Sequence, residues 1–173
     1  PDARRVEQPA GRSINLALAA RGLAGLERAG LMDAVRPLLM PMRGRLVHDL
    51  DGRTRFLPYG QRPHELLWSV GRAALNRVLV GAAERRGVEI RFEHACSGAD
   101  FATATLRIDD LRTGRAHDVP LAPTFAADGA GSALRQAMVR AGLGTAREEF
   151  LEHGYKELSI PAGPNGEHRM DPG

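Results

Sequence analysis

The sequence of 173 residues is long enough for one domain, and its hydrophobic content of 43% allows a sizeable core. Its 24 basic and 21 acidic residues are interleaved and leave a net charge of only +3. Aromatic residues make up 5% of the chain, whereas nucleic-acid-binding surfaces combine clustered basic residues with aromatic ones. The composition therefore argues against a nucleic-acid-binding protein.

No apolar run approaches membrane-spanning length, and neither a signal peptide nor membrane association is indicated. The single cysteine, Cys96, excludes an intramolecular disulfide and fits a reducing compartment, so we expect a cytoplasmic protein. The six histidines have no metal-ligand spacing with cysteine or aspartate, and no metal site is predicted. The chain opens on Pro1 and closes on a turn sequence at 171–173, and we expect it to be part of a longer protein.

Strands and helices alternate in the first part of the chain. Apolar residues at every second position predict a strand at 14–18. Helical spacing follows from Ala19 to a stop at Gly30, and a short helix at 32–36 ends at Pro37. This order is the first indication of an α/β fold.

The dipeptide Asp51-Gly52 between two extended segments predicts a β-hairpin. We expect a three-residue loop in which Gly52 has a positive φ. This loop places Arg45 opposite Leu57 and puts Tyr59 on the same face as Arg45. A two-residue loop would put Arg45 and Tyr59 on opposite faces.

The second part of the chain continues the alternation. The predicted elements are a strand at 66–70, a helix at 72–86 capped by Gly87, a strand at 88–92, a hairpin or meander turning at 113–114, a strand leading to Asp128, a helix ending at Gly142, and a strand at 153–161.

Residues 124–135 are the most informative stretch, because an apolar run passes through Asp128 and Gly129 into a helix. Glycine lets the backbone approach a bulky group, and a helix N-terminus attracts anions. Asp128 is placed to accept hydrogen bonds from ribose hydroxyls. The alternative is a plain strand–turn–helix connection with Ser132 as the N-cap. The glycine fingerprint G-x-G-x-x-G of a dinucleotide fold does not occur before Ser13.

Several strings, taken together and in order, resemble the kynurenine 3-monooxygenase family of single-component flavin hydroxylases. They are Gly11-Arg12-Ser13-Ile14-Asn15-Leu16-Ala17-Leu18, Met42-Arg43-Gly44-Arg45, Leu57-Pro58-Tyr59-Gly60, Leu75-Asn76-Arg77 and His153-Gly154-Tyr155-Lys156-Glu157-Leu158, with the Asp128-Gly129 motif of the wider group.

The resemblance implies a partial FAD/NAD(P)-binding domain of Rossmann-like, flavin hydroxylase type, with an antiparallel β insertion and the start of a substrate-domain sheet. It also implies an NADPH-dependent flavin monooxygenase that uses FAD and O2 to convert L-kynurenine to 3-hydroxykynurenine in tryptophan degradation. Because the flavin carries the chemistry in such enzymes, no catalytic side chain is expected.

The resemblance also assigns site residues. Arg45 matches the arginine that binds the substrate carboxylate, and Tyr59 matches a tyrosine that hydrogen-bonds the same group. The residues expected at the cofactor are Ala17, Arg72, Cys96, Asp128, Gly129 and Ala133.

The expected domains are a partial FAD-binding domain at 1–150 and the start of a substrate-binding domain at 151–173, with the region 42–70 contributing to the substrate pocket. The family is longer at both ends, so we expect the isolated chain to be inactive. Two alternatives stay open: a related flavin hydroxylase of another aromatic acid, and a truncated, non-catalytic relative.

Overall fold

A computed structural model describes residues 15–154, 160–167 and 169. The chain divides into two compact units, one within Ile90–Gly154 and the other within Ala3–Glu89 together with Tyr155–Gly173. The described elements, in chain order, are β1 Asn15–Leu18, α1 Ala20–Arg28, α2 Met32–Val35, a 3₁₀ turn Arg36–Leu38, β2 Met40–Met42, β3 Gly44–His48, β4 Thr54–Pro58, β5 Leu67–Gly71, α3 Arg72–Arg85, β6 His94–Asp100, β7 Thr105–Asp110, β8 Arg115–Pro120 and α4 Ala133–Arg140.

The unit that contains β1 to α3 is built on a three-stranded sheet in the order β1-β5-β2, with both outer strands antiparallel to β5. Strand alternation separates its two faces. Leu16, Leu18 and Val70 join the apolar core that the helices cover, whereas Ala17 lies on the opposite face. The buried centre of this core consists of Leu26, Val35, Val70 and Leu75.

The helix ends predicted for this unit are confirmed. Gly30 and Gly87 both take a positive φ, of 66° and 78°, directly after α1 and α3. Pro37 lies inside the 3₁₀ turn that follows α2, so the helical segment tightens and ends at Leu38. The longest described helix, α3, has 14 residues, and no described helix has the length and apolarity to cross a bilayer.

One arginine joins the C-terminal ends of two helices. Nη2 of Arg86 donates to the carbonyl oxygen of Ala29 at 2.7 Å, and Nη1 donates to the carbonyl oxygen of Ala82 at 3.3 Å. The last carbonyl groups of a helix have no partner within the helix. Arg86 therefore satisfies such a group just after α1 while it remains bonded to α3.

The unit within Ile90–Gly154 contains the antiparallel sheet β6-β7-β8, against which α4 packs. The meander predicted to turn at 113–114 is confirmed, because β7 pairs with β8 and Gly114 has a φ of 68°. The end of α4 is also as predicted, with Gly142 at a φ of 71°.

Two predicted strands are wrong. Residues 88–92 and 124–128 do not form strands, and the third strand of the sheet is instead β6, whose residues alternate poorly. A strand needs a neighbour to receive its backbone hydrogen bonds, and neither segment pairs with a described strand. Most of the strand predicted at 153–161 lies outside the described residues.

Candidate functional site

The β3–β4 hairpin has the predicted register. Arg45 lies opposite Leu57, and the backbone N–H of Asp49 donates to the carbonyl oxygen of Arg53 at 2.8 Å. The loop is closed by a 3.0 Å bond from the Gly52 N–H to the Asp49 carbonyl oxygen, and Gly52 has a φ of 84°. The three-residue loop is therefore confirmed.

The hairpin ladder continues one step beyond β3 and β4. The Tyr59 N–H donates to the carbonyl oxygen of Arg43 at 2.9 Å, which places Tyr59 opposite Arg43. Side chains of opposed residues share a face, and so do those at positions i and i+2. Arg43, Arg45 and Tyr59 accordingly lie on one face, with Tyr59 diagonal to Arg45, and all three side chains are exposed.

The same face changes its electrostatic character along the hairpin. Near the loop, Arg55 makes two hydrogen bonds of 3.2 and 3.1 Å to the Asp49 carboxylate, and Nε of Arg53 donates to Asp51 at 2.7 Å. The hydrogen bond from the Arg53 side chain, aided by the Arg53 backbone N–H, lowers the pKa of Asp51. Arg45 makes no ion pair with any residue that the structure describes.

A hollow of about 430 Å³ lies at the loop end of the hairpin and is lined by Asp49, Arg53, Thr54 and Arg55. Neither Arg45 nor Tyr59 lines it. The described residues thus place Arg45 and Tyr59 on one face of the hairpin. They do not enclose the two side chains, and Tyr59 is 42% exposed.

Ala17 lies in β1, and Arg72 directly follows β5, the strand that pairs with β1. Ala17 is opposite Ser69, and Asn15 is opposite Gly71, the residue directly before Arg72. Arg72 opens α3 and is exposed; the first turn of α3 contains no acidic residue, and Gly71 supplies no side-chain cap. A cationic side chain and several N–H groups without intrahelical partners therefore lie at the start of α3, three residues beyond Ser69, which pairs with Ala17.

Cys96 lies in β6 at a β-bulge, where the pairing with β7 shifts between Cys96 and Gly98. Its thiol is half-buried and donates to the carbonyl oxygen of Gly98 at 3.5 Å. This environment fits a small apolar lining residue.

Asp128 and Gly129 form the turn that opens α4. Gly129 has a φ of 77°, and the Ser132 side chain caps the helix by accepting a 3.0 Å hydrogen bond from the Arg135 N–H. The Asp128 carboxylate accepts a 3.4 Å bond from the Leu134 N–H. A hydrogen bond from the Ser132 hydroxyl, aided by the helix N–H groups, lowers the pKa of Asp128.

The turn is also tied to the segment beyond α4. Nη2 of Arg135 donates to the Ala130 carbonyl oxygen and makes a 2.8 Å ion pair with Glu148. Ala133, the first residue of α4, is half-buried. Asp128, Gly129 and Ala133 therefore lie together at the N-terminus of α4. Both interpretations of residues 124–135, a cofactor site and a plain connection capped by Ser132, require this arrangement.

Sequence reasoning gave no role to Arg43, although the residue stands in the Met42-Arg43-Gly44-Arg45 string. The sequence did contain a signal for Arg43. It precedes Arg45 by two positions, and residues i and i+2 of a strand lie on the same face. Ser132 was recognised only as a cap, whereas its hydroxyl also acts on Asp128.

Residues 4–152 match the family described as FAD binding domain, and the chain belongs to this family. Among curated relatives, it is 44% identical over 161 residues to kynurenine 3-monooxygenase of Xanthomonas axonopodis pv. citri, a match that covers 93% of this chain and 35% of the relative. It is 41% identical over 172 residues to kynurenine 3-monooxygenase of Myxococcus xanthus, covering 99% of this chain and 37% of the relative. The resemblance found in the sequence is confirmed.

Solved structures show the same fold. The flavin-dependent monooxygenase PieE, in complex with FAD and substrate, matches with a TM-score of 0.63 at 24% identity, over 80% of this chain and 27% of that protein. OxyS anhydrotetracycline hydroxylase from Streptomyces rimosus matches with a TM-score of 0.58 at 22% identity, over 78% of this chain and 27% of that protein. The predicted fold class is confirmed, and the chain spans about a third of the length of the curated relatives that it matches.

The residues of the described chain fit the cofactor that the family binds. A Cβ at Gly129 would meet no atom within 4 Å, so the backbone there is open to a close approach. Asp128 is exposed and kept ionised by its hydrogen bonds, which suits an acceptor of hydroxyl protons. Arg72 is an exposed cation suited to a phosphate or to an electron-rich ring.

Proposed function

We propose that this chain provides the substrate-carboxylate grip and part of the FAD site of an NADPH-dependent monooxygenase that hydroxylates L-kynurenine. The overall reaction is L-kynurenine + NADPH + H⁺ + O2 giving 3-hydroxykynurenine + NADP⁺ + H2O. The observation that carries the proposal is the shared face of Arg45 and Tyr59. Similarity to relatives named kynurenine 3-monooxygenase supports the choice of substrate.

FAD, when bound and reduced by NADPH, supplies the activation of O2 that lets an oxygen atom enter the aromatic ring. The chain binds and orients the substrate. Arg45 offers a planar fork that takes a carboxylate through two parallel hydrogen bonds, and the Tyr59 hydroxyl donates a further one. Fixing the carboxylate at one end fixes the position of the ring at the other, which is the contribution that such a site makes to rate.

On the cofactor side, we propose that Ala17, Arg72, Cys96, Asp128, Gly129 and Ala133 contact FAD. Ala17 and Gly129 allow close approach, Arg72 supplies positive charge, and Asp128 accepts hydrogen bonds from hydroxyl groups. The proposed domain division is a partial FAD-binding domain at 1–150 and the start of a substrate domain at 151–173, in a cytoplasmic protein.

The test uses the full-length gene product. Wild-type protein is incubated with L-kynurenine and NADPH, and 3-hydroxykynurenine is measured by chromatography alongside NADPH oxidation. Arg45→Gln should lose a charged contact worth about 2–3 kcal/mol, which should raise KM for L-kynurenine by about 30- to 160-fold.

Arg53→Gln is the matched control, because Arg53 lies on the same hairpin and is held by Asp51. It should leave KM unchanged. An unaltered KM in Arg45→Gln would rule out the carboxylate role. Product formation only from a different aromatic acid would identify a related hydroxylase, and no product from any aromatic acid would identify a non-catalytic relative.

A further inference from the structure

Arg43 has the same orientation as Arg45 but no role in the function proposed above. It precedes β3 by one residue, and its carbonyl oxygen accepts the Tyr59 N–H at 2.9 Å. Opposed residues in an antiparallel ladder have Cβ atoms about 4.5–5.5 Å apart, and positions i and i+2 are about 6.5 Å apart along one strand. Arg43 is therefore the nearest cation on this face to both Arg45 and Tyr59.

The charges of this face divide it into two parts. The arginines at the loop end are neutralised, Arg55 by Asp49 and Arg53 by Asp51. Arg43 and Arg45, at the opposite end, are exposed and make no ion pair with a residue that the structure describes. Two neighbouring cations that lack a described counter-charge favour an anionic ligand placed between them.

A carboxylate can use three donors of this kind. Its two oxygen atoms present about four lone-pair sites. A bidentate arginine occupies two of them, one on each oxygen, and a tyrosine hydroxyl occupies a third. One site is left, and a second arginine on the same face is suited to fill it.

From this geometry, and resting on the proposed function, we infer that Arg43 is a further substrate-binding residue. It completes, with Arg45 and Tyr59, a three-donor site for the α-carboxylate of the amino-acid substrate. The second arginine makes the site selective for aromatic amino acids that retain the carboxylate over amines that have lost it.

The backbone between the two arginines is held from the opposite face. Gly44 faces away from them, and a Cβ at this position would lie 2.5 Å from Cζ of Phe56. The Phe56 ring therefore packs against the backbone of Gly44. A residue with a Cβ at position 44 would push the ring away. The spacing of Arg43 and Arg45 is set by the ladder itself, in which Arg45 pairs with Leu57 and the Arg43 carbonyl oxygen accepts the Tyr59 N–H.

The experiment compares Arg43→Gln with Arg53→Gln in the full-length holoenzyme, using L-kynurenine and its decarboxylated analogue kynuramine. Arg43→Gln should raise KM for L-kynurenine about tenfold, as expected for one charge-assisted hydrogen bond, with kcat little changed. KM for kynuramine should not rise. Arg53→Gln should leave KM unchanged for both substrates.

Arg43→Lys provides a second variant whose fold is less disturbed, because it keeps the charge and the aliphatic stem but loses the fork. Its KM for L-kynurenine should fall between those of the wild type and Arg43→Gln. Flavin content per protein is measured for every variant. An equal rise in KM for both substrates in Arg43→Gln would indicate a structural role and overturn the inference.

The outcomes also separate this inference from the proposed function. If Arg45→Gln raises KM for L-kynurenine while Arg43→Gln and Arg43→Lys match the wild type, the inference fails and the proposed function stands. If the wild-type holoenzyme neither binds nor hydroxylates L-kynurenine, the proposed function fails and the inference fails with it.

Discussion

The chain contains two Asp-Gly turns with similar backbones and different surroundings. Gly52 and Gly129 have φ values of 84° and 77°, and at neither position would a Cβ meet an atom within 4 Å. The first turn closes the β3–β4 hairpin, and Asp51 is bonded to Arg53 two residues away. The second turn opens α4, and the Asp128 carboxylate accepts a hydrogen bond from the Leu134 N–H at the helix start.

The difference shows how much of the structure the dipeptide itself determines. Asp-Gly specifies a reversal with a left-handed glycine in both places. The element after the turn depends on the next residues: after Gly52 an extended segment, Thr54–Pro58, completes the hairpin, whereas after Gly129 a serine cap and then a helical stripe begin a helix. Only the second turn leaves an ionised carboxylate beside helix N–H groups, which is why we propose a cofactor contact there and not at Asp51.

Alanine at each glycine gives the largest expected effect and the most direct test of this comparison. Gly52→Ala and Gly129→Ala should each lose about 1–2 kcal/mol of unfolding free energy, since both force a left-handed backbone on a residue with a Cβ. Only Gly129→Ala should also weaken FAD binding, by about tenfold or 1.4 kcal/mol. Urea unfolding and flavin fluorescence titration of the full-length protein measure the two quantities.

Equal loss of FAD affinity in both variants would show that the second turn has no special relation to the cofactor. Both Asp-Gly turns would then have only a structural role. Residues 124–135 would be a plain connection capped by Ser132.

Removal of the cap should have the next largest effect. Ser132 is only 6% exposed, and Ser132→Ala deletes the hydrogen bond that caps the helix at the Arg135 N–H. Loss of a serine N-cap costs about 1 kcal/mol, which lowers Tm by a few degrees in a domain of this size. Ser132→Thr, which keeps a hydroxyl, should recover most of the stability, and a Tm for the threonine variant as low as that for alanine would indicate lost packing instead.

The smallest expected effect is a pH dependence shared by the two aspartates. The pKa values of Asp51 and Asp128 lie below the ordinary 3.8. A carboxyl group with a lowered pKa in the folded state stabilises that state above its unfolded pKa, and the stabilisation disappears as pH falls through the folded pKa. The difference in stability between wild type and Asp51→Asn or Asp128→Asn should therefore be complete at pH values well above the unfolded pKa of 3.8 and should disappear as the pH falls through the lower pKa of the folded state.

Urea unfolding at several pH values measures this difference for both variants. A difference that persists unchanged at low pH would show that the asparagine acts through shape and not through charge. Asp128→Asn should in addition weaken FAD binding, whereas Asp51→Asn should not.

Local signals in the sequence predicted the parts of the fold that local chemistry decides. Counting residues around Gly52 was sufficient for the hairpin register, and hence for the common face of Arg45 and Tyr59. Glycines in the left-handed conformation marked the helix ends correctly.

Strands that depend on distant partners were less predictable. Residues 88–92 and 124–128 alternate or are apolar but pair with no described strand, whereas β6, with His94, Ser97 and Asp100, is a strand because β7 lies beside it. The common face of Arg43 and Arg45 could have been predicted from their i, i+2 spacing, whereas the bonds that the loop arginines make with Asp49 and Asp51 depend on side-chain geometry that the sequence does not give.

The two hydrogen bonds of Arg86 limit which residues can replace it during evolution. Its Nη2 and Nη1 atoms donate to the carbonyl oxygens of Ala29 and Ala82 from one rigid plane, which adds a polar link between two helices that also share the apolar core of Leu26 and Leu75. A lysine at this position would lack the planar fork that holds the two donors at a fixed separation. We therefore expect few neutral replacements at position 86 among descendants of this sequence.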